Sequence, residues 1–251
     1  MISVIIPTYK EPEYLDLCLK SCIEGQDGEN EIIVVVDGFY EMNKPILEKW
    51  SKYIKCLPLD KNMGFPYAVN MGVYNASNEW ILIVNDDNVF MKGWDTNLNK
   101  LQVTEAKLVV SLNQIEPNPS IFPQFVIENY GKSIDEFDLD NFWKNINKHF
   151  QYKLTTEGGT FPIFLKKDLF MCVGGWDINY PTNGVVADWD FFLKCELAGA
   201  GMLRDYSTLF YHFAQVSTGA QRAETEMEGH ALFQYKWRRQ FVPMALRNYY
   251  Q

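Results

Sequence analysis

The stretch Trp80-Ile81-Leu82-Ile83-Val84-Asn85-Asp86-Asp87-Asn88-Val89-Phe90 decides how this chain is read. Its five leading apolar residues, rich in β-branched side chains, predict a short strand buried on both faces, as found inside a parallel sheet. The chain then turns abruptly polar. Four oxygen-bearing side chains, Asn85 to Asn88, fall where open α/β sheets hold their ligands, at a strand's carboxyl end. Two adjacent carboxylates suit a hard divalent cation, and such a cation suits a substrate diphosphate. Taken alone, the same four residues read equally well as turn chemistry, since Asn and Asp tolerate left-handed backbone and bond their own main chain.

Working back from that stretch, Ile2 to Ile6 reads as a buried strand broken by Pro7, with Thr8-Tyr9-Lys10-Glu11 as the loop after it. Pro12 suits the first turn of a helix whose apolar face carries Leu15, Leu19 and Cys22. Glu31 to Val36 predicts a second strand ending in Asp37-Gly38, followed by a helix over about Lys44–Ser51 capped by Asn43 and a third strand around Ile54–Leu59. Asn62-Met63-Gly64 leads into a helix that begins near Pro66 and runs to about Ala76. The order β-α-β-α-β-α-β calls for a parallel sheet with right-handed crossovers. Thr8, Asp37 and Asp86-Asp87 then all lie just past strand ends, on one edge of the sheet.

Working forward, a helix near Asp95–Leu101 precedes a strand at Leu108–Leu112, and Glu116-Pro117-Asn118-Pro119-Ser120 opens an irregular segment. Ser133 to His149 predicts one helix capped by Ser133, and Phe161 to Leu165 a strand. Ala187 opens a helix that ends near Gly199. Asp188 and Asp190, two apart on it, must point in different directions. Thr208 to Phe213 reads as a final strand carrying His212, and Glu224 to Tyr250 as a terminal helix that runs from acidic to basic, as the macrodipole favours.

Composition narrows the class. At 251 residues, with 47% hydrophobic and 22% charged residues, the chain suits one large α/β domain. A net charge of −9 disfavours a nucleic-acid partner, because phosphate neutralisation needs clustered Lys and Arg. Neither Gly-x-Gly-x-x-Gly after the first strand nor Gly-x-x-x-x-Gly-Lys-Ser is present, which argues against a dinucleotide dehydrogenase and a P-loop ATPase. The five cysteines are odd in number and lack Cys-x-x-Cys pairing, which predicts a reducing compartment, and Cys18 and Cys22 read as small core residues. Met1 to Thr8 carries no basic leader and no apolar run reaches membrane-spanning length, so the expectation is a cytoplasmic protein. Weak membrane-surface association through the C-terminal helix, with Trp237, Phe241, Tyr249 and Tyr250 among its cations, is the minority alternative.

In order along the chain, Val4-Ile5-Ile6-Pro7-Thr8-Tyr9, Val35-Val36-Asp37-Gly38, Asn62-x-Gly64 with Ala68-x-Asn70-x-Gly72, Asn85 to Asn88, Gly174-Gly175-Trp176-Asp177, Asp188 to Asp190 and His212 resemble a family-2 glycosyltransferase with the GT-A fold. The resemblance covers most of the chain. It implies a single domain, 1–251, with a nucleotide-sugar-binding half over about 1–90, an acceptor and catalytic half over about 91–215, and a C-terminal helix over about 216–251. By the same resemblance Pro7, Thr8, Tyr9 and Glu11 line the base and ribose pocket, Asp37 bonds the nucleobase, and Asn62 and Gly64 belong to the nucleotide-binding set. Asp87 holds Mn2+ or Mg2+ on the diphosphate, Asp86 lies near the ribose, and His212 helps hold the metal or diphosphate. Asp188 is the general base of an inverting displacement. Asn85 stands at the first position of the family's Asp-x-Asp signature, and Ala187 where Glu usually precedes the base.

The implied donor is a nucleotide sugar, UDP-sugars being commonest, and the implied acceptor a hydroxyl of a glycan, glycolipid or glycoprotein chosen by the segment from about Gln114 to Gly159. Three rivals remain: a sugar-phosphate nucleotidyltransferase, which usually carries a glycine-rich basic loop that Thr8-Tyr9-Lys10-Glu11 lacks; a non-catalytic sugar-nucleotide or carbohydrate-binding relative; and a transferase acting on modified DNA bases.

Overall fold

In the computed structural model, which describes residues 1–102, 107–213 and 222–238, the first half of the chain folds as its apolar runs dictate. Strands β1 (Ile2–Thr8), β2 (Glu31–Asp37), β3 (Ile54–Leu59) and β4 (Trp80–Ile83) alternate with helices α1 (Pro12–Gly25), α2 (Tyr40–Trp50) and α3 (Phe65–Tyr74). The four strands pair in parallel, in the order β3-β2-β1-β4. Because successive strand residues face opposite sides, the continuous apolar runs split between two cores. Ile2, Val4 and Ile6 pack with Leu15, Leu19 and Trp94 on one face, while Ile5, Ile81 and Ile83 pack with Val69, Phe170 and Phe191 on the other. Cys18 and Cys22 are buried in the first of these cores.

The second half adds β5 (Asn88–Phe90), α4 (Trp94–Leu101), β6 (Leu108–Glu116), β7 (Val126–Ile127), α5 (Leu139–Asn145), β8 (Leu154–Thr155), β9 (Ile163–Lys166), α6 (Lys167–Cys172), α7 (Ala187–Leu197), β10 (Gly201–His212) and α8 (Arg222–Trp237). Sheet order continues β4-β9-β6-β10-β5, with β9 antiparallel to both its neighbours, β6 parallel to β10, and β5 antiparallel to β10. The carboxyl ends of β1, β2, β4, β6 and β10 therefore share one edge.

Several expectations need correction. Asn43 is not a cap: α2 starts after Phe39, whose backbone is left-handed (φ 52°), and Asn43 is buried inside the helix, its Nδ2 donating to Tyr9 O at 3.0 Å and Phe39 O at 3.2 Å. Ser133 to His149 is not one helix. It breaks into short 3-10 turns, Ile134–Glu136 and Ile146–His149, around α5, because Asp138 is extended (φ −105°, ψ 97°) and caps α5 by accepting from Asn141 N at 3.0 Å. Strands β6 and β10 outrun the expected Leu108–Leu112 and Thr208–Phe213, since both continue through buried polar residues: Asn113, Gln114 and Glu116 on β6, Arg204 and Asp205 on β10. The expected terminal helix is seen as α8, and its part beyond Arg238, with Arg239, Phe241, Arg247, Tyr249 and Tyr250, lies outside the described residues. Among the described residues no helix is long and apolar enough to cross a membrane.

Candidate active site

A cleft of about 890 Å³ opens along the shared strand edge. Its nucleotide-side wall comes from the first half. Thr8 pairs with Val36 and Ile5 with Ile83, so the turn after β4 comes level with the loop after β1. Pro7, Thr8, Tyr9, Glu11, Asp37, Asn62, Asp86 and Asp87 all line the cleft.

Gly64 is not in that wall. It acts one layer behind: the Asp37 carboxylate accepts the Met63 N–H at 2.6 Å and the Gly64 N–H at 2.9 Å. Asn62 Oδ1 accepts the same Gly64 N–H at 3.0 Å. Gly64 has φ 93°, and a Cβ there would meet Thr182 Cα at 2.8 Å, so only glycine lets the loop pass this close to the opposite half. Burial raises the Asp37 carboxyl above its usual range, although the two N–H donors oppose this.

The acidic turn divides its two carboxylates. Burial, and then the charge of Asp87, push the Asp86 carboxyl up to about 7. Asp87 Oδ1 accepts from Asn88 Nδ2 at 3.1 Å, and Asn88 Oδ1 accepts from Gln114 Nε2 at 3.1 Å. Asp87 Oδ2 lies 3.4 Å from His212 Nε2, and His212 Nδ1 lies 2.8 Å from Glu116 Oε1. Burial opposes a charge on His212, but the Asp87 and Glu116 carboxylates outweigh it and push the imidazole up to about 10.

Asp87 and His212 fit a hard divalent cation. One carboxylate oxygen and one imidazole nitrogen, 3.4 Å apart, can take adjacent positions on an ion at about 2.1 Å each, provided the ion takes the place of the proton on Nε2. No group of three or more His, Cys, Asp or Glu suited to a metal occurs among the described residues. A cation held by two protein groups would complete its shell from water and substrate phosphate, as Mg2+ commonly does.

The second half of the chain adds Asp188, in the first turn of α7, to the cleft lining, together with Trp189, Thr182, Asn183 and Glu226. Asp188 Oδ1 accepts from Trp189 N at 2.9 Å. The turn before it is strained: Val186, a β-branched residue, sits at φ 72°. Asp190 points away from the cleft, as the spacing requires. It is fully buried and accepts from Tyr180 OH at 3.2 Å and Trp237 Nε1 at 2.8 Å.

Sequence reasoning missed Glu116 and Gln114 among the cleft residues. The signal was available, because an acid at a strand's carboxyl end is what singled out Asp37 and Asp86. The apolar pattern hides it, because the run Leu108–Leu112 gives way to the polar residues Asn113 and Gln114 before the strand ends. Glu226 was also missed, since only the docking of α8 brings it to the cleft. His149 lies against Glu128, and His230 lies 3.7 Å from Glu226 and packs against the Trp189 ring.

A mostly parallel, helix-flanked sheet with acids gathered at its strand ends, closed into one cleft by a second half, has the architecture of GT-A glycosyltransferases. Residues 3–169, about two thirds of the chain, match the sequence model of glycosyl transferase family 2, and the chain belongs to that family. It is 25% identical over 194 residues to a poly-beta-1,6-N-acetyl-D-glucosamine synthase of Staphylococcus epidermidis, covering 76% of this chain and 46% of that protein. It is likewise 25% identical over 201 residues to a PGL/p-HBAD biosynthesis glycosyltransferase of Mycobacterium bovis, covering 78% and 69%. The chain thus spans about half the length of the first of these curated relatives.

Among solved structures, S. aureus TarS 1-349 in complex with UDP superposes with a TM-score of 0.68 at 19% identity, over 97% of this chain and 67% of that one. The mannosyltransferase PcManGT of Pyrobaculum calidifontis, in complex with GDP-Man and Mn2+, superposes with a TM-score of 0.63 at 16% identity, over 98% and 67%.

Proposed function

We propose that this protein transfers a glycosyl group from a nucleotide-diphosphate sugar to an acceptor hydroxyl, with inversion and with the help of Mn2+ or Mg2+. One observation carries the reading: Asp87 with His212, and Asp188 from the other half, open onto the same cleft. Had the two acids faced separate surfaces, no single substrate could have met both.

Asp87 and His212 would hold the divalent ion, which when bound supplies neutralisation of charge on the departing nucleotide diphosphate. Pro7, Thr8, Tyr9, Glu11 and Asp37 would hold base and ribose, with Asn62 and Gly64 keeping the Asp37 loop in place. Asp86, beside Asp87 on the same turn and lining the cleft, would bond a ribose hydroxyl. Asp188 would take the proton from the acceptor hydroxyl as its oxygen attacks the anomeric carbon, a contribution of roughly 100-fold or more. Attack opposite the leaving diphosphate inverts the anomeric centre.

UDP-sugars are the first donors to test, and the acceptor is proposed to be a hydroxyl of a glycan, glycolipid or glycoprotein. The test incubates the chain with a panel of UDP-, GDP- and dTDP-sugars in Mn2+, in Mg2+ and in EDTA, and follows release of the nucleoside diphosphate. Slow donor turnover restricted to one nucleotide, lost in EDTA, is expected. A donor that binds without turning over would place the chain among non-catalytic binding relatives, and turnover indifferent to EDTA would refute the metal role.

A further inference from the structure

Two polar side chains of β6 line the cleft and are buried beside the Asp87–His212 pair. Gln114 is 3% exposed and Glu116 7%. Being two apart on a strand, they leave it on the same side. Burying an amide and a carboxylate is costly unless each is bonded; Glu116 is bonded to His212 directly, and Gln114 is bonded to Asn88, which in turn donates to Asp87.

We propose that Gln114 and Glu116 are positioning residues that fix the orientation of the two groups offered to the divalent cation; this rests on the metal-assisted reading above. Strand register sets the arrangement. His212 pairs with Asn88 of β5, and Tyr211, one residue earlier, pairs with Ile115 of β6. Residues at the ends of β6, β10 and β5 are thereby brought side by side.

From one end, Glu116 Oε1 accepts from His212 Nδ1 at 2.8 Å, which leaves Nε2 as the nitrogen turned toward Asp87. From the other, Gln114 Nε2 donates to Asn88 Oδ1 at 3.1 Å, and Asn88 Nδ2 donates to Asp87 Oδ1 at 3.1 Å, which leaves Asp87 Oδ2 as the oxygen turned toward His212. The chain Gln114, Asn88, Asp87, His212, Glu116 is thus anchored at both ends on one strand. Carboxylates and amides in this position hold ring orientation and ligand basicity, and their removal typically costs 10–100-fold in metal affinity.

The experiment measures Mn2+ binding by titration calorimetry to the unaltered chain and to variants, in saturating UDP and separately in GDP. Glu116→Gln should weaken Mn2+ binding about 10–100-fold, and its donor turnover should recover when Mn2+ is raised by the same factor, separating a metal defect from a loss of kcat. Gln114→Met, of similar length but without the amide donor, should weaken Mn2+ in the same direction. The double variant Glu116→Gln with His212→Ala should bind Mn2+ no more weakly than His212→Ala alone.

Unchanged Mn2+ affinity in Glu116→Gln with unaltered near-ultraviolet circular dichroism would overturn the proposal. A further tenfold loss in the double variant would also overturn it, by making Glu116 a ligand in its own right. Absence of Mn2+ binding in the unaltered chain with either nucleotide would refute the cation reading itself, a result distinct from an insensitive variant.

Discussion

Lys236 of α8 places its Nζ 2.8 Å from Asp190 Oδ1 of α7, joining the C-terminal helix to the helix that carries Asp188. Asp190 is fully buried, and the same ammonium lies 2.7 Å from Asp177 Oδ2. Replacing Lys236 with Met would leave a buried carboxylate short of its main counter-charge. Such losses run to several kcal/mol, and because Lys194 lies 3.6 Å from Asp190 Oδ2 and Trp237 Nε1 still donates to it, the low end applies, about 3 kcal/mol in urea unfolding. If the acceptor docks against the Asp188 side of the cleft, as proposed, transfer to it should fall more than donor hydrolysis, since α7 and α8 bring Asp188, Trp189 and Glu226 to the cleft. Equal loss of both activities would show that the clamp acts on the whole domain.

Asp177 makes the same clamp sensitive to acid. Burial raises its pKa, but bonds from Lys236 and Asn179 outweigh burial and hold the carboxyl below the usual range. A carboxyl depressed on folding contributes stability that is complete above the ordinary Asp pKa near 3.9, and that contribution is lost as the pH falls through the lower folded value. Asp177→Asn should therefore lower the melting midpoint relative to the unaltered protein at pH 5–8, with the gap closing below about pH 4. A gap constant from pH 3 to pH 8 would assign the effect to packing and not to charge.

Asp188→Asn keeps the size of the side chain and its place in the first turn of α7 while removing the proposed base. Acceptor transfer should drop by roughly 100-fold or more, with nucleotide affinity nearly unchanged, because Asp188 comes to the cleft from α7 and not from the strand ends that carry the proposed nucleotide and metal groups. Parallel measurement of transfer rate and nucleotide affinity decides this. Loss of both together would mean that Asp188 shapes the nucleotide pocket and is not the base.

How much of this was legible follows from where burial was apolar. Strands β1, β2 and β4 are apolar on both faces, so their runs announced a parallel sheet and put Thr8, Asp37, Asp86 and Asp87 at one edge. Where a strand buries polar residues the pattern fails. Asn113, Gln114 and Glu116 look like loop chemistry until Asn113 Oδ1 is seen to accept from Arg204 and Glu116 to hold His212, and so β6 was cut short and its two site residues were lost. The role of Asp190 was open for a related reason. Spacing shows that it cannot share a ligand with Asp188, but its partners Lys236 and Trp237 lie 46 and 47 residues away, a distance that no local pattern spans.

Helix α8 presses on the strained turn before Asp188, and this gives the sharpest packing test. A Cβ at Gly229 of α8 would meet Val185 O at 2.8 Å, Val186 Cγ2 at 2.8 Å and Val186 Cβ at 3.0 Å. Within a helix, glycine to alanine is ordinarily worth about 1 kcal/mol of stabilisation. Here the neighbour cannot readily give way, because Val186 already holds φ 72° and starts the helix that positions Asp188. Overpacking costs about 1–3 kcal/mol and should win, so that Gly229→Ala destabilises by about 1–2 kcal/mol, whereas exposed Glu228→Ala on the adjacent position stays within about 0.5 kcal/mol. Acceptor transfer should fall with it while Mn2+ and nucleotide affinity hold, since the displaced turn precedes Asp188 and carries none of the proposed metal or nucleotide groups. Stabilisation of Gly229→Ala in urea unfolding would mean that α8 slides freely over this turn, and its proposed control of the base would be lost with it.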